Sequence, residues 1–276
     1  MNNKIKLIAF DLDGTLLNSE KQITGYTREV LKRAIAEGIE VVPSTGRPIM
    51  GVPEEFCHFP GIRYAVTSNG ARLIEIATKR TLYESLLSYE KAKEVLAVLT
   101  EYDVMLELFY DGQGYIDEAQ LPDARRYIQT KAMTEYITKT RVPVKDLEGM
   151  FERERRAVDK VQGLFANQQE KQEAFDRLRL VDGIEPSGAL HNNIETNAGG
   201  VHKGIALTVL GKRLGIKPEE MMAFGDGSND IKMMRTVGIG VAVANAQDTV
   251  RESADDIADS NDEDGVARYI EKHVLS

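Results

Sequence analysis

The run Lys4-Ile5-Lys6-Leu7-Ile8-Ala9-Phe10 is a short apolar segment that stops abruptly at Asp11-Leu12-Asp13-Gly14. It reads as a buried strand, and its end, Leu7 to Phe10, has no polar alternation, which confines it to a sheet covered by helices on each side. The next residues agree. Thr27 to Glu37 places Val30, Leu31, Ala34 and Ile35 on one helical face and stops at Gly38, and Ile39-Glu40-Val41-Val42 reads as a second strand. Strand, helix, strand in this order implies a parallel sheet wound by right-handed crossovers.

The same alternation returns near the end of the chain. A helix is expected over Lys203 to Leu214, a strand over Met221 to Phe224, a helix from Asp230, a strand over Gly238 to Ala242, and then two further helices. The fold class expected is α/β, with a Rossmann-like parallel-sheet core built from residues 1–83 and 191–276. Between these halves, residues 84–190 have a different texture, with strand-like runs such as Val104 to Phe109 and Lys160 to Phe165 among helical stretches. So long a connection does not stay structureless in a compact protein, and it reads as an inserted α+β domain.

Composition narrows the classes of partner. The 276 residues are 42% hydrophobic, enough for a sizeable core, and the formal charge of −9 disfavours a nucleic-acid partner, which needs a concentrated basic surface. No stretch approaches a membrane-spanning length, and the N-terminal apolar run is too short and too soon charged for a signal peptide. Cys57 is the only cysteine, so no intrachain disulfide forms; a lone thiol fits a reducing compartment, and a cytoplasmic location is expected.

Four elements carry chemistry. Asp11-Leu12-Asp13-Gly14-Thr15 follows a strand, where open parallel sheets hold their ligand crevice. Two carboxylates this close repel each other, and a hard divalent cation relieves the repulsion. A carboxylate also attacks phosphorus. A calcium loop does not fit, because Thr15 and Leu16 stand at its fifth and sixth positions. Second, Ser44-Thr45-Gly46-Arg47 offers a hydroxyl, a bare backbone and a charged donor to phosphate oxygens, although taken alone a turn with helix capping by Ser44 or Thr45 is the commoner explanation. Third, Lys203 and Gly204 open a helix, and Lys203 can neutralise phosphate charge; the spacing is not that of a Walker loop. Fourth, Gly225-Asp226-Gly227-Ser228-Asn229-Asp230 again follows a strand, with Asp226 as a further metal ligand, Asn229 as a phosphate donor and Asp230 as support.

Taken in order, these four elements resemble the motifs of the haloacid dehalogenase-like superfamily, and most closely its Cof-type phosphatases with a type IIB cap. Ser68-Asn69-Gly70-Ala71 resembles the Asn-Gly-Ala element of that subfamily. The resemblance implies that Asp11 is the nucleophile and a metal ligand. Asp13 would be general acid and then base, binding metal through its carbonyl. Thr45, Gly46, Lys203 and Asn229 would hold phosphate, Asp226 would bind Mg²⁺, and Arg47, Asn69 and Asp230 would support the site. His202 stands where many relatives carry a serine, and Pro43 interrupts the strand before Thr45.

The function expected is Mg²⁺-dependent hydrolysis of small phosphorylated metabolites through an aspartyl-phosphate. Sugar phosphates come first, and cofactor phosphates such as FMN or pyridoxal phosphate next. The alternatives are a phosphosugar mutase and a catalytically silent metabolite-binding protein on the same fold. Neither nucleic acid nor membrane is expected as a partner, and the chain is expected as a monomer or homodimer. The inserted segment is expected to set specificity; its Phe109, Tyr110 and Tyr115 read either as stacking surfaces for substrate or as core.

Overall fold

The computed structural model describes residues 4–128, 130–188 and 191–275. They form two compact units, one made of Met1–Gly46, Val52–Glu84 and His202–Ser276, the other of Arg47–Gly51 and Ser85–Val201.

The first unit is built on a five-stranded sheet in the order Asp256–Ala258, Ile239–Val243, Met221–Gly225, Leu7–Phe10, Glu40–Pro43, and every neighbouring pair is parallel. Leu7–Phe10 lies inside this sheet with all four residues buried, as a strand without polar alternation demands. Leu7 and Ala9 pack with Ala206, Leu207 and Leu210 of the helix Lys203–Leu214, while Phe10 on the opposite parity meets the ring of Phe56. Pro43 closes the edge strand without loss. Ser44 N donates to Phe10 O at 2.8 Å, so alternation turns the proline nitrogen away from that ladder. On the far side Thr45 N donates to Val66 O at 2.9 Å, tying on an antiparallel three-stranded sheet, Tyr64–Thr67, Arg72–Glu75 and Arg80–Glu84.

The second unit carries a six-stranded sheet in the order Ile184–Ser187, Asn193–Ala198, Lys160–Phe165, Val104–Tyr110, Gln113–Asp117, Arg141–Val144. The α/β core with a separate α+β insertion is the class expected from the sequence. Asn193–Ala198, which falls within the expected second core segment, instead pairs antiparallel with both Ile184–Ser187 and Lys160–Phe165. The expected end of the insertion, Leu190, lies outside the described residues. One face of this sheet is a hydrophobic core: Leu106, Leu108, Tyr110, Val161 and Ile194 pack with residues of the helices Tyr89–Leu99, Leu147–Glu154 and Gln168–Leu178. Tyr110 and Tyr115 meet edge to face within it, so both serve packing.

On the other parity Met105, Ile116 and Leu164 join a smaller hydrophobic cluster with Ile137, and the residues beside them form a charged layer. Arg141 Nε donates to Glu107 Oε1 at 2.7 Å and Lys160 Nζ to Glu195 Oε1 at 2.5 Å, with all four residues buried. Rings and cations alternate through the layer: Lys160 lies 4.6 Å from the Phe109 centroid, Arg141 lies 4.9 Å from both Phe109 and Tyr136, and Arg47 lies 4.4 Å from Tyr136. Burial depresses the Lys160 ammonium pKa, against the pull of Glu195. Removing one charge from such a layer strands its partner in a medium that cannot solvate it. Glu107→Gln is expected to cost about 3 kcal/mol of stability in urea unfolding, and the double change Glu107→Leu with Arg141→Met distinctly less.

Candidate active site

Asp11 leaves the end of Leu7–Phe10, its amide donating to Phe224 O of the neighbouring strand at 3.0 Å. That bond places the Asp11 segment beside the turn that follows Met221–Gly225. The turn is shaped by Asp230, whose Oδ2 accepts from Asp226 N at 3.1 Å and Gly227 N at 3.0 Å. Its glycines are required by this crowding: a Cβ on Gly225 would lie 2.3 Å from Asp230 Cβ. Gly14 is constrained twice, by φ +85° and by the Asp226 carboxylate 2.5 Å from where a Cβ would stand.

Lys203 joins these segments. Its Nζ donates to Asp11 Oδ1 at 2.7 Å and to Asp230 Oδ1 at 2.6 Å, and its side chain is fully buried. Burial alone would depress its pKa, but Asp11 and Asp230 reverse this and carry it above the ordinary lysine value. Burial pushes the Asp11 carboxyl well above its ordinary value; Lys203 opposes this, while Asp230, Asp226 and Asp13 add to it. Burial, reinforced by Asp230, also lifts Asp226 to about 7, against the hydroxyl of Thr15, which donates to its Oδ1 at 2.6 Å.

Among the described residues, Asp11, Asp226 and Asp230 each bring a carboxylate oxygen within 4.8 Å of the others. Both oxygens of Asp230 accept hydrogen bonds, from Lys203 and from the turn. Asp11 and Asp226 are therefore the carboxylates best suited to a hard cation, whose preference is for anionic oxygen. Asp13 keeps a different company: its carboxylate lies 2.9 Å from Lys21 Nζ.

The remaining residues predicted from sequence distribute as follows. Asn229 Nδ2 donates to Asn69 Oδ1 at 3.1 Å, bringing the last motif to the Ser68–Gly70 turn. Thr45 O accepts from Asn69 N at 3.1 Å, so the Thr45-Gly46 element abuts the same turn. Gly70, at φ +99°, approaches the carbonyl of His202, which occupies the N-cap position of the helix that begins at Lys203. Arg47 groups with the second unit, donating to Gly51 O at 3.0 Å and lying over Tyr136. Sequence reading missed Lys21, the Thr15 hydroxyl and Asn245, whose Nδ2 donates to Gly14 O at 2.7 Å. Thr15 stood within a recognised motif, whereas Lys21 and Asn245 carry no local signature.

The raised Asp226 carboxyl makes a stability prediction. Its folded pKa of about 7 exceeds the ordinary 3.8, so its contribution to stability is present at acid pH and is lost as pH rises through that value. In EDTA, the thermal midpoint of the parent protein is expected to fall between pH 5 and pH 8 more steeply than that of Asp226→Asn.

The chain is similar to known proteins along nearly its whole length. Residues 8–270 match the family model described as haloacid dehalogenase-like hydrolase. The 5-amino-6-(5-phospho-D-ribitylamino)uracil phosphatase YcsE of Bacillus subtilis (strain 168) is 32% identical over 274 residues, covering 98% of this chain and 96% of its own. The pyridoxal phosphate phosphatase YbhA of Escherichia coli (strain K12) is 26% identical, covering 98% and 99%. Among solved structures, a haloacid dehalogenase-like hydrolase from B. subtilis superposes with a TM-score of 0.87 at 28% identity, covering 98% of this chain and 100% of that one. A HAD subclass IIB sugar phosphatase superposes with a TM-score of 0.81 at 26% identity, covering 98% and 100%. The family expected from the four motifs is thus the one found: the chain belongs to the haloacid dehalogenase-like hydrolases and is one of their phosphatases.

Proposed function

We propose that this phosphatase hydrolyses small phosphorylated metabolites in a Mg²⁺-dependent reaction, with Asp11 as nucleophile and Asp13 as acid and base. The observation that carries this reading is the bridge from Lys203 to Asp11 and Asp230. It fixes one oxygen of a buried carboxylate and holds it beside a second carboxylate, Asp226, which accepts from Thr15. A carboxylate so held is oriented before the substrate arrives, which favours attack over mere charge balance.

In the first step the Asp11 carboxylate attacks phosphorus, the ester P–O bond breaks, and Asp13 gives its proton to the departing alkoxide oxygen. In the second, Asp13 takes a proton from water, whose oxygen attacks phosphorus, releasing inorganic phosphate and the free Asp11 carboxylate. A positioned acid contributes about 10²–10⁴-fold to such a step. Thr45, Gly46, Lys203 and Asn229 hold the phosphate, while Asn69 and Asp230 orient Asn229 and Lys203. A bound Mg²⁺, held by Asp11, Asp226 and the Asp13 carbonyl, would neutralise charge on the transferring group.

Residues 85–201 with 47–51 act in this reading as the cap that selects the leaving group. A ribityl phosphate, a pyridoxal phosphate and a sugar phosphate are the substrates named for the relatives. They support phosphate esters of sugars and sugar alcohols as the first class to try, with cofactor phosphates next. A cytoplasmic setting is part of the proposal; among the described residues no helix is long and apolar enough to cross a membrane.

A panel of sugar, sugar-alcohol and cofactor phosphates, assayed with Mg²⁺ and with EDTA, tests the reading. Inorganic phosphate is expected to be released from members of the first class, to fall to background in EDTA, and to drop at least about 10³-fold in Asp11→Asn, as when a covalent nucleophile is removed. Full activity in Asp11→Asn, or in EDTA, would remove the mechanism. Phosphate release without a bisphosphate activator separates it from a mutase.

A further inference from the structure

The segment after the two carboxylates holds an arrangement that the steps above leave unused. Lys21 sits in the left-handed backbone region at φ +62°, and its ammonium lies 2.9 Å from Asp13 Oδ1. Both side chains are partly exposed, at 36% and 23%. A non-glycine residue in this region costs more than a partly exposed ion pair returns, so stability does not account for the pairing.

Such strain persists only where surrounding bonds over-determine it, and here they do. Lys21 N donates to Asn18 O at 2.9 Å, and Asn18 Oδ1 accepts from Glu20 N at 3.1 Å and Gln22 N at 2.9 Å. Ser19 donates through its amide and its hydroxyl to the two oxygens of Asp262, each at 2.7 Å. Asn261 Nδ2 donates to Leu17 O at 2.9 Å and Asn245 Nδ2 to Gly14 O at 2.7 Å. Asp262 therefore pins the turn itself, while Asn261 and Asn245 pin the stretch that leads into it, and the strained member of the turn points one ammonium at Asp13. Asp13 itself follows Asp11 by two residues and belongs to the same segment. An isolated bridge to Leu17 fixes its backbone.

We propose that Lys21 is a positioning residue that holds the Asp13 carboxyl, through the contact of its ammonium with Oδ1, in the orientation from which the carboxyl serves the leaving-group oxygen. The inference rests on the reading of Asp13 as acid and base. Proton transfer requires hydrogen-bond reach, so a carboxyl free to rotate transfers its proton less often.

The test compares Lys21→Met, Lys21→Arg and Asp13→Asn by kcat/KM, which reports the steps up to transfer of the phosphoryl group to Asp11. Two substrates are used. One is the sugar or sugar-alcohol phosphate hydrolysed fastest in the panel, whose alkoxide needs a proton; the other is p-nitrophenyl phosphate, whose phenolate leaves without one. Lys21→Met is expected to lose about 10- to 100-fold on the first and less than about threefold on the second, with Lys21→Arg recovering most of the loss. Equal losses on both substrates, or a change in KM alone, would overturn the role of Lys21. If Asp13→Asn itself fails to discriminate between the substrates, the reading of Asp13 falls and this inference with it. If Asp13→Asn discriminates and Lys21→Met does not, only Lys21 is removed.

Discussion

One buried ammonium organises the first unit. Lys203 is the first residue of its helix, yet its charge is spent inward on carboxylates from two other segments, Asp11 after the first strand and Asp230 in the turn after Met221–Gly225. Leaving either carboxylate buried without it would cost about 3–5 kcal/mol, a large share of the stability of a typical domain. The turn depends on it indirectly, because Asp230 spends its second oxygen on the amides of Asp226 and Gly227. Sheet order and reactive geometry thus share a cause. The strands that carry Asp11 and Asp226 are direct neighbours, in register from Leu7↔Met221 to Phe10↔Phe224.

Much of this was legible in the sequence because Asp11 and Asp226 fall just past the end of an apolar run, and Lys203 and Asp230 stand inside short contiguous motifs. Each motif alone admits a plainer explanation, Lys203 that of a surface lysine, and Asp11, Lys203, Asp226 and Asp230 stand out when the four motifs are taken together. The residues that escaped are those whose meaning is wholly tertiary. Lys21 looks like any lysine in a polar turn until Asp13 is seen beside it, and Asn245 gains its part from Gly14, far away in the chain. Asn193–Ala198 was misplaced for a related reason. Its polar residues Asn193, Glu195 and Asn197 carry no local sign of the partners they meet, yet the segment is almost wholly buried between two strands.

The same blindness covers the charged layer of the second unit. Glu107 stands in the middle of Val104–Tyr110 and is fully buried, and Lys160 begins a strand that is buried throughout. Sequence rules send such residues to the surface unless they are paired. Here they are paired, Glu107 with Arg141 and Lys160 with Glu195, and the rings of Phe109 and Tyr136 lie between the cations. Networks of this kind tolerate little rearrangement, since each half-satisfied state leaves a charge in low dielectric. The layer is therefore a stiff element, in contrast to the hydrophobic core on the other side of the sheet, where side chains of similar volume exchange at small cost.

The short strap Arg47–Gly51 belongs with the second unit although it is separated in sequence from the rest of it. Ile49 fills the space over Gly112, where a Cβ would come within 2.5 Å of it, and Met50 N donates to Gly112 O at 3.2 Å. Gly51 leaves room for the Tyr136 hydroxyl, and Arg47 covers the Tyr136 ring. The unit is consequently not a single cassette. Exchanging residues 85–201 between relatives, as an evolving lineage or an engineer might attempt, transfers a sheet whose seat for the strap is matched to another chain's residues. The two pieces are packed as one, so a substitution at Gly112 or Tyr136 acts on the strap as well as on the sheet.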